Sequence, residues 1–225
     1  MAAPGFLQHV HDATARYLQT VDRMEPEQAS AASVLPDWTR AHVVAHVALN
    51  AHGLARALNG VLHDEPIPVY DSVEDRTNDI ASHATLPLRD LREISFDACG
   101  RFRDAADRLE DWSVEVERTP GGARLTVSEM LMSRWREVEI HHADLLLGHR
   151  PRDWSPAFVE AVLPQLLADR SGALDLTLVS PEGRLDVGAG GPEVTGSRAD
   201  LAWWLMGRGD GEGLSGTLPT LEAWR

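Results

Sequence analysis

A change of hydrophobic period near residues 148–153 constrains this chain more than any other feature. Before it, apolar residues recur every three to four positions, as on helices packed by one face. After it, glycine and proline become frequent and apolar residues alternate with polar ones. The first stretch asks for a helical bundle and the second for a mixed domain, so the fold class is α+β, with domains at 1–150 and 151–225. The 225 residues are 43% hydrophobic, enough for two domains that each bury a core.

In the first half, Phe6, Val10, Ala13, Tyr17, Leu18 and Val21 predict a helix that ends before Pro26. Thr39 can cap a second helix bearing Val43, Val47 and Leu54 and running to about Leu62. A shorter helix is expected over Val73 to Ser82 and a long one over Leu88 to Leu109. SVEVERTPGGARLTV reads as a hairpin turning at Pro120, Gly121 and Gly122, after which Thr126 or Ser128 starts a helix expected to stop at Gly148. In the second half, Ser155 and Pro156 open a helix that Pro164 should kink or restart. LDLTLVS, RLDVGAG and PEVTG predict a small antiparallel sheet. Ser197 caps a last helix, RADLAWWLMGR, and the apolar residues of LPTLEAW pack back on the domain. GAGGP opens no helix, so it is no phosphate loop.

Composition excludes several function classes. Thirty-five acidic against 21 basic residues give a net charge of −14, which repels a nucleic-acid backbone or an anionic membrane. Cys99 is the single cysteine, so neither an intrachain disulfide nor a thiolate zinc site can form, and a reducing cytoplasm fits. The start of the chain lacks the pattern of a signal peptide, and no segment has the run of apolar residues that a membrane span needs. The expected assembly is a monomer or weak homodimer.

The segment SRWREVEIHHADLL carries Arg134, Glu137, His141 and Asp144 along one helical stripe of an otherwise apolar run. Glu137 and His141, four apart, can offer a carboxylate and an imidazole to one divalent ion, but two ligands on one helix cannot enclose it. TRAHVVAHVALNAHG supplies a second polar seam of His42, His46 and Asn50. Asp144 can orient His141 by accepting from its other ring nitrogen, or it is a surface aspartate near a helix end. Asn50 and Asp144, which extend the two seams, are the candidate cofactor-binding residues. A hydrolase using a metal-held water, with Asp144 or Glu139 as base, fits the same residues, as does a non-catalytic small-molecule binder.

These residues resemble the mycothiol-dependent maleylpyruvate isomerase family, whose N-terminal half is a DinB-like metal-binding four-helix bundle. Trp38, Thr39, Val43, His46, Ala48, Asn50 and Ala51 meet one family pattern, and Arg136, Glu137, Val138, His141, Asp144 and Leu145 another. The resemblance implies His46, Glu137 and His141 as ligands of zinc or another divalent metal. It also implies mycothiol as thiol cosubstrate and a small-molecule electrophile as substrate. Trp204, Leu205, Gly207 and Arg208 meet a third pattern, which implies Arg208 as catalytic, reaching the metal from the C-terminal domain. The implied reaction is cis–trans isomerisation by thiolate addition and elimination; a mycothiol S-transferase is the alternative. Leu49 departs from the pattern, since many relatives carry arginine there.

Overall fold

A computed structural model describes residues 5–224 and divides the chain into two compact units, between Leu147 and Gly148. The expected ranges 1–150 and 151–225 also include residues 1–4 and 225, which lie outside the described residues.

The first unit is built on four long helices: α1 (Phe6–Arg23), α3 (Arg40–Leu62), α5 (Leu88–Arg108) and α6 (Val127–Asp144). Short helices α2 (Pro26–Ala29) and α4 (Val73–His83) lie in the connections. Helix α3 packs on α5 and α6, and α1 packs on the same two. Their buried faces follow the helical period: on α1, Val10, Ala13, Thr14, Tyr17 and Val21 are buried. Thr39, Ser72 and Thr126 cap α3, α4 and α6 by accepting from the backbone N–H three residues on. At α3, His42 closes a capping box, its Nδ1 3.3 Å from the Thr39 backbone nitrogen, so a helix-start role accounts for this histidine.

Strands β1 (Glu115–Glu117) and β2 (Arg124–Thr126) form the expected hairpin. The segment leading to Tyr70 joins its outer edge, Val69 N–H donating to Glu117 O and Tyr70 N–H to Arg118 O. That segment crosses α3 at Gly53, where a Cβ would stand 2.7 Å from the Val69 carbonyl oxygen; only glycine admits the crossing. Tyr70 is thereby held beside the middle of α3.

Helix α6 ends at Asp144, four residues before the expected stop at Gly148. Its last carbonyls are taken from outside the helix, Asp144 O by the Val34 N–H and Leu145 O by Arg40 Nε, and Leu146 turns left-handed at φ 54°.

In the second unit, Ser155 caps α7 (Pro156–Arg170), which runs on through Pro164 rather than restarting there. The proline removes one backbone N–H, but buried Val159, Val162, Leu163 and Leu166 hold the helix on both sides of it. Strands β3 (Leu176–Ser180), β4 (Gly183–Val187), β5 (Glu193–Thr195) and β6 (Ser215–Gly216) form one sheet in the order β4-β3-β5-β6. The sheet is mixed, not antiparallel as expected. Residues 188–192 carry the chain across the end of β3, so β5 lies on the far side of it and pairs parallel, Leu178 opposite Val194. The fourth strand, β6, escaped the sequence reading because two residues carry no period.

Ser197 caps α8 (Arg198–Leu205), which stops three residues before the expected end. Gly207, at φ 69°, closes it in a left-handed turn, with the Gly207 N–H donating to Trp204 O and that of Arg208 to Trp203 O. The tail does fold back: the Trp224 backbone N–H donates to Met206 O and its indole to Asp169. No helix among the described residues is long and apolar enough to cross a membrane.

Candidate metal centre

The polar seams of α3 and α6 face each other. His46 Nε2 lies 2.7 Å from Glu137 Oε2, and His141 Nε2 lies 3.2 Å from the same oxygen. The two imidazole rings meet edge to face, 4.6 Å between centroids. One ligand atom from each of the three residues lies within 4.8 Å of the others. Two imidazoles and a carboxylate form a donor set suited to a divalent ion that keeps a coordination position open, the arrangement of catalytic rather than structural sites.

The surroundings prepare the donors. Asp144, fully buried, places Oδ2 2.8 Å from His141 Nδ1, which leaves Nε2 to face Glu137. It is therefore not a surface aspartate. Burial opposes a charge on His141, but Asp144 and Glu137 outweigh it and raise the imidazole to about 9 in the absence of an ion. Burial also opposes ionisation of Glu137, yet the two imidazoles hold its carboxyl well below the usual range. For His46, burial prevails over Glu137 and lowers its pKa, keeping the ring neutral, the form that coordinates.

Two neighbours carried no motif. Arg76 of α4 places Nη2 3.1 Å from His46 Nδ1, and its guanidinium lies 5.5 Å from the centre of the Tyr70 ring. The signal available was spacing: Arg76 stands four before Ile80, the buried residue of α4, and so shares its inward face. Arg76 and Tyr70 line a cavity of about 150 Å³ with Leu49, His52 and Arg56. With leucine at 49, the guanidinium groups lining that cavity are those of Arg56 and Arg76, and Arg56 is paired with Asp71.

Other candidates are engaged elsewhere. Asn50 is buried, with Oδ1 accepting from Arg134 Nη1 at 2.8 Å and Nδ2 donating to Tyr70 OH at 3.2 Å. Glu139 pairs with Arg16 of α1 at 2.8 Å. Cys99 is buried against Arg134 Nη2; burial raises its thiol pKa although the guanidinium opposes this. In the second unit Arg208 is buried, donates to Met206 O at 3.3 Å and lies 5.9 Å from the Trp203 ring centre.

The helical unit that brings these donors together is of a recognisable class, that of the metal-binding helical bundles. The family described as mycothiol maleylpyruvate isomerase N-terminal domain matches residues 10–146. The chain belongs to that family. A crystal structure of a mycothiol-dependent maleylpyruvate isomerase is similar over 99% of this chain and 98% of that one, at 28% identity and a TM-score of 0.89. A histidine-to-alanine mutant of such an isomerase is similar over the same shares, at 27% identity and 0.88. No curated protein matches the chain.

Proposed function

We propose that this protein is a mycothiol-dependent isomerase of the maleylpyruvate type, using a divalent ion, zinc or a similar metal, held by His46, Glu137 and His141. The observation that carries the reading is the convergence of these three donors, from α3 and α6, in a chain of this family. A bound ion with an open position would keep the thiol of a cosubstrate deprotonated at neutral pH.

The chain's own residues set the conditions for that chemistry. Asp144 fixes the orientation of His141, burial keeps His46 neutral, and Glu137 contributes the negative charge. Cys99 is enclosed beside Arg134, so the sulfur comes from the cosubstrate. Addition of that thiolate to the activated cis double bond forms a C–S bond and leaves a single bond about which the substrate rotates. Cleavage of the same C–S bond returns the thiolate and the trans product, with no net oxidation or reduction. The W-L-x-G-R motif gives Arg208 the role of holding a substrate or thiol carboxylate by paired hydrogen bonds. A single buried cysteine and a free-thiol cosubstrate fit a cytoplasmic enzyme.

The hydrolase reading is weaker, because both carboxylates that would serve as its base are engaged, Glu139 with Arg16 and Asp144 with His141. Metal analysis of purified protein, followed by an assay with mycothiol and maleylpyruvate, tests the proposal. About one divalent ion per chain and catalytic, thiol-dependent conversion to the trans isomer are expected. Stoichiometric consumption of thiol would assign an S-transferase, and turnover without thiol a hydrolase.

A further inference from the structure

Among the described residues Arg134 is the largest fully buried side chain, and no carboxylate pairs with it. Burying a guanidinium without a counter-ion is costly, and a methionine would fill much of the same space without that cost. What the arginine obtains instead is a grip on two neighbouring helices. From α6, Nη1 donates to Val47 O and to Asn50 Oδ1 of α3, each at 2.8 Å; Nη2 donates to Cys99 Sγ of α5 at 3.2 Å; and the guanidinium lies 5.6 Å from the centre of the Phe102 ring.

The positions of these bonds matter more than their number. Val47 and Asn50 follow His46 by one and four residues, and Glu137 and His141 follow Arg134 by three and seven. The contact therefore joins α3 to α6 about one helical turn from His46 and Glu137 and about two from His141. A one-turn slip of either helix, about 5.4 Å, would break both Nη1 bonds and separate His46 from Glu137 together. Asn50 extends the link outward: its Nδ2 donates to Tyr70 OH, the Tyr70 ring lies against Arg76, and Arg76 Nη2 lies 3.1 Å from His46 Nδ1. The path leaves α3 at Asn50 and returns to the same helix at His46.

We propose that Arg134 and Asn50 are positioning residues that set the register of α3 against α6 and thereby the geometry of the metal donors. The proposal rests on the metal reading above, and it moves Asn50 from a ligand-contacting residue to a brace. A side chain with both ends of its amide engaged inside the protein has little left to offer a cosubstrate.

Cobalt(II) is the probe, because its visible absorption reports coordination geometry independently of turnover. Wild type, Arg134→Met, Asn50→Leu and Asn50→Asp are titrated with cobalt, with circular dichroism and thermal melts as checks on the fold. The expected result is a loss of cobalt affinity of about 10–100-fold in Arg134→Met and Asn50→Leu, with an altered visible band, as for residues that orient metal ligands. Asn50→Asp, which keeps an oxygen for Arg134, should recover most of the affinity and the wild-type band. Wild-type affinity and an unchanged band in folded Arg134→Met and Asn50→Leu, even with lowered melting temperatures, would overturn the brace while leaving the metal reading intact. Unfolding of both variants would assign them a plain structural role and equally overturn it. Wild-type protein that binds no cobalt would overturn both.

Discussion

The two units bury different kinds of side chain. Among the described residues, the helical unit encloses Thr14, His46, Asn50, Ser95, Arg134, Glu139, His142 and Asp144 in its core, whereas the second unit encloses Thr177 and Arg208. Buried polar groups cost free energy unless paired, and four long helices are an economical way to carry them, because their backbone groups are already satisfied within each helix. The second unit spends its interior on apolar contacts of α7, α8 and the sheet, such as Phe158, Leu166, Leu178 and Leu205. The difference teaches that buried polar groups and apolar cohesion are assigned to different parts of the chain, with Arg208 as the charged exception.

The sharpest attempt to break that assignment is His46→Ala. It should abolish stoichiometric metal binding and, with it, activity, while the helices persist by circular dichroism; undiminished metal by elemental analysis would refute the donor set. Phe158→Ala attacks the other side. Loss of a fully buried ring should cost about 3–5 kcal/mol of stability, read from chemical denaturation, yet leave the metal content of the folded protein unchanged. A smaller effect is expected at the exception. Arg208→Ala should keep its metal and fold but lose on the order of 2–5 kcal/mol of transition-state stabilisation in kcat/KM, the cost of leaving a charged partner unpaired. Near-normal kcat/KM would reduce Arg208 to a helix-end cation on Met206 O. The smallest effect should be that of Cys99→Ser, with turnover and thiol dependence retained within a few-fold; loss of thiol dependence would show that the chain supplies its own sulfur after all.

Legibility in the sequence followed the same division. The long helices could be read because burial on one face imposes a period, and Thr39, Thr126, Ser155 and Ser197 all cap where their side chains suggest. That two polar seams on apolar helices could face each other was legible from the residues; that His46, and not His42, joins Glu137 and His141 was what the resemblance implied. Arg76 could not be found that way, since an arginine in an acidic, half-exposed helix looks solvated until the fold turns its Ile80 face inward. Asn50 was visible as a polar residue in an apolar run, but its partners, Arg134 and Tyr70, lie 84 and 20 residues away, and no local pattern records that. The parallel pairing of β3 with β5 was hidden for a related reason: alternation shows that a strand exists, not which side of the sheet its neighbour takes.

His46 and Glu137 are 91 residues apart, and that distance governs when the donor set can exist. Helices α1, α3 and α5 can form from local contacts as the chain emerges, but a nascent chain that has not yet made α6 holds one donor and no site. Closing so long a loop costs entropy that the isolated helices do not recover, so the donors assemble only as the whole unit closes. An ion bound by the set and not by the unfolded chain would then act on folding itself by mass action: each tenfold excess of free ion over its dissociation constant would add about 1.4 kcal/mol to the closed state.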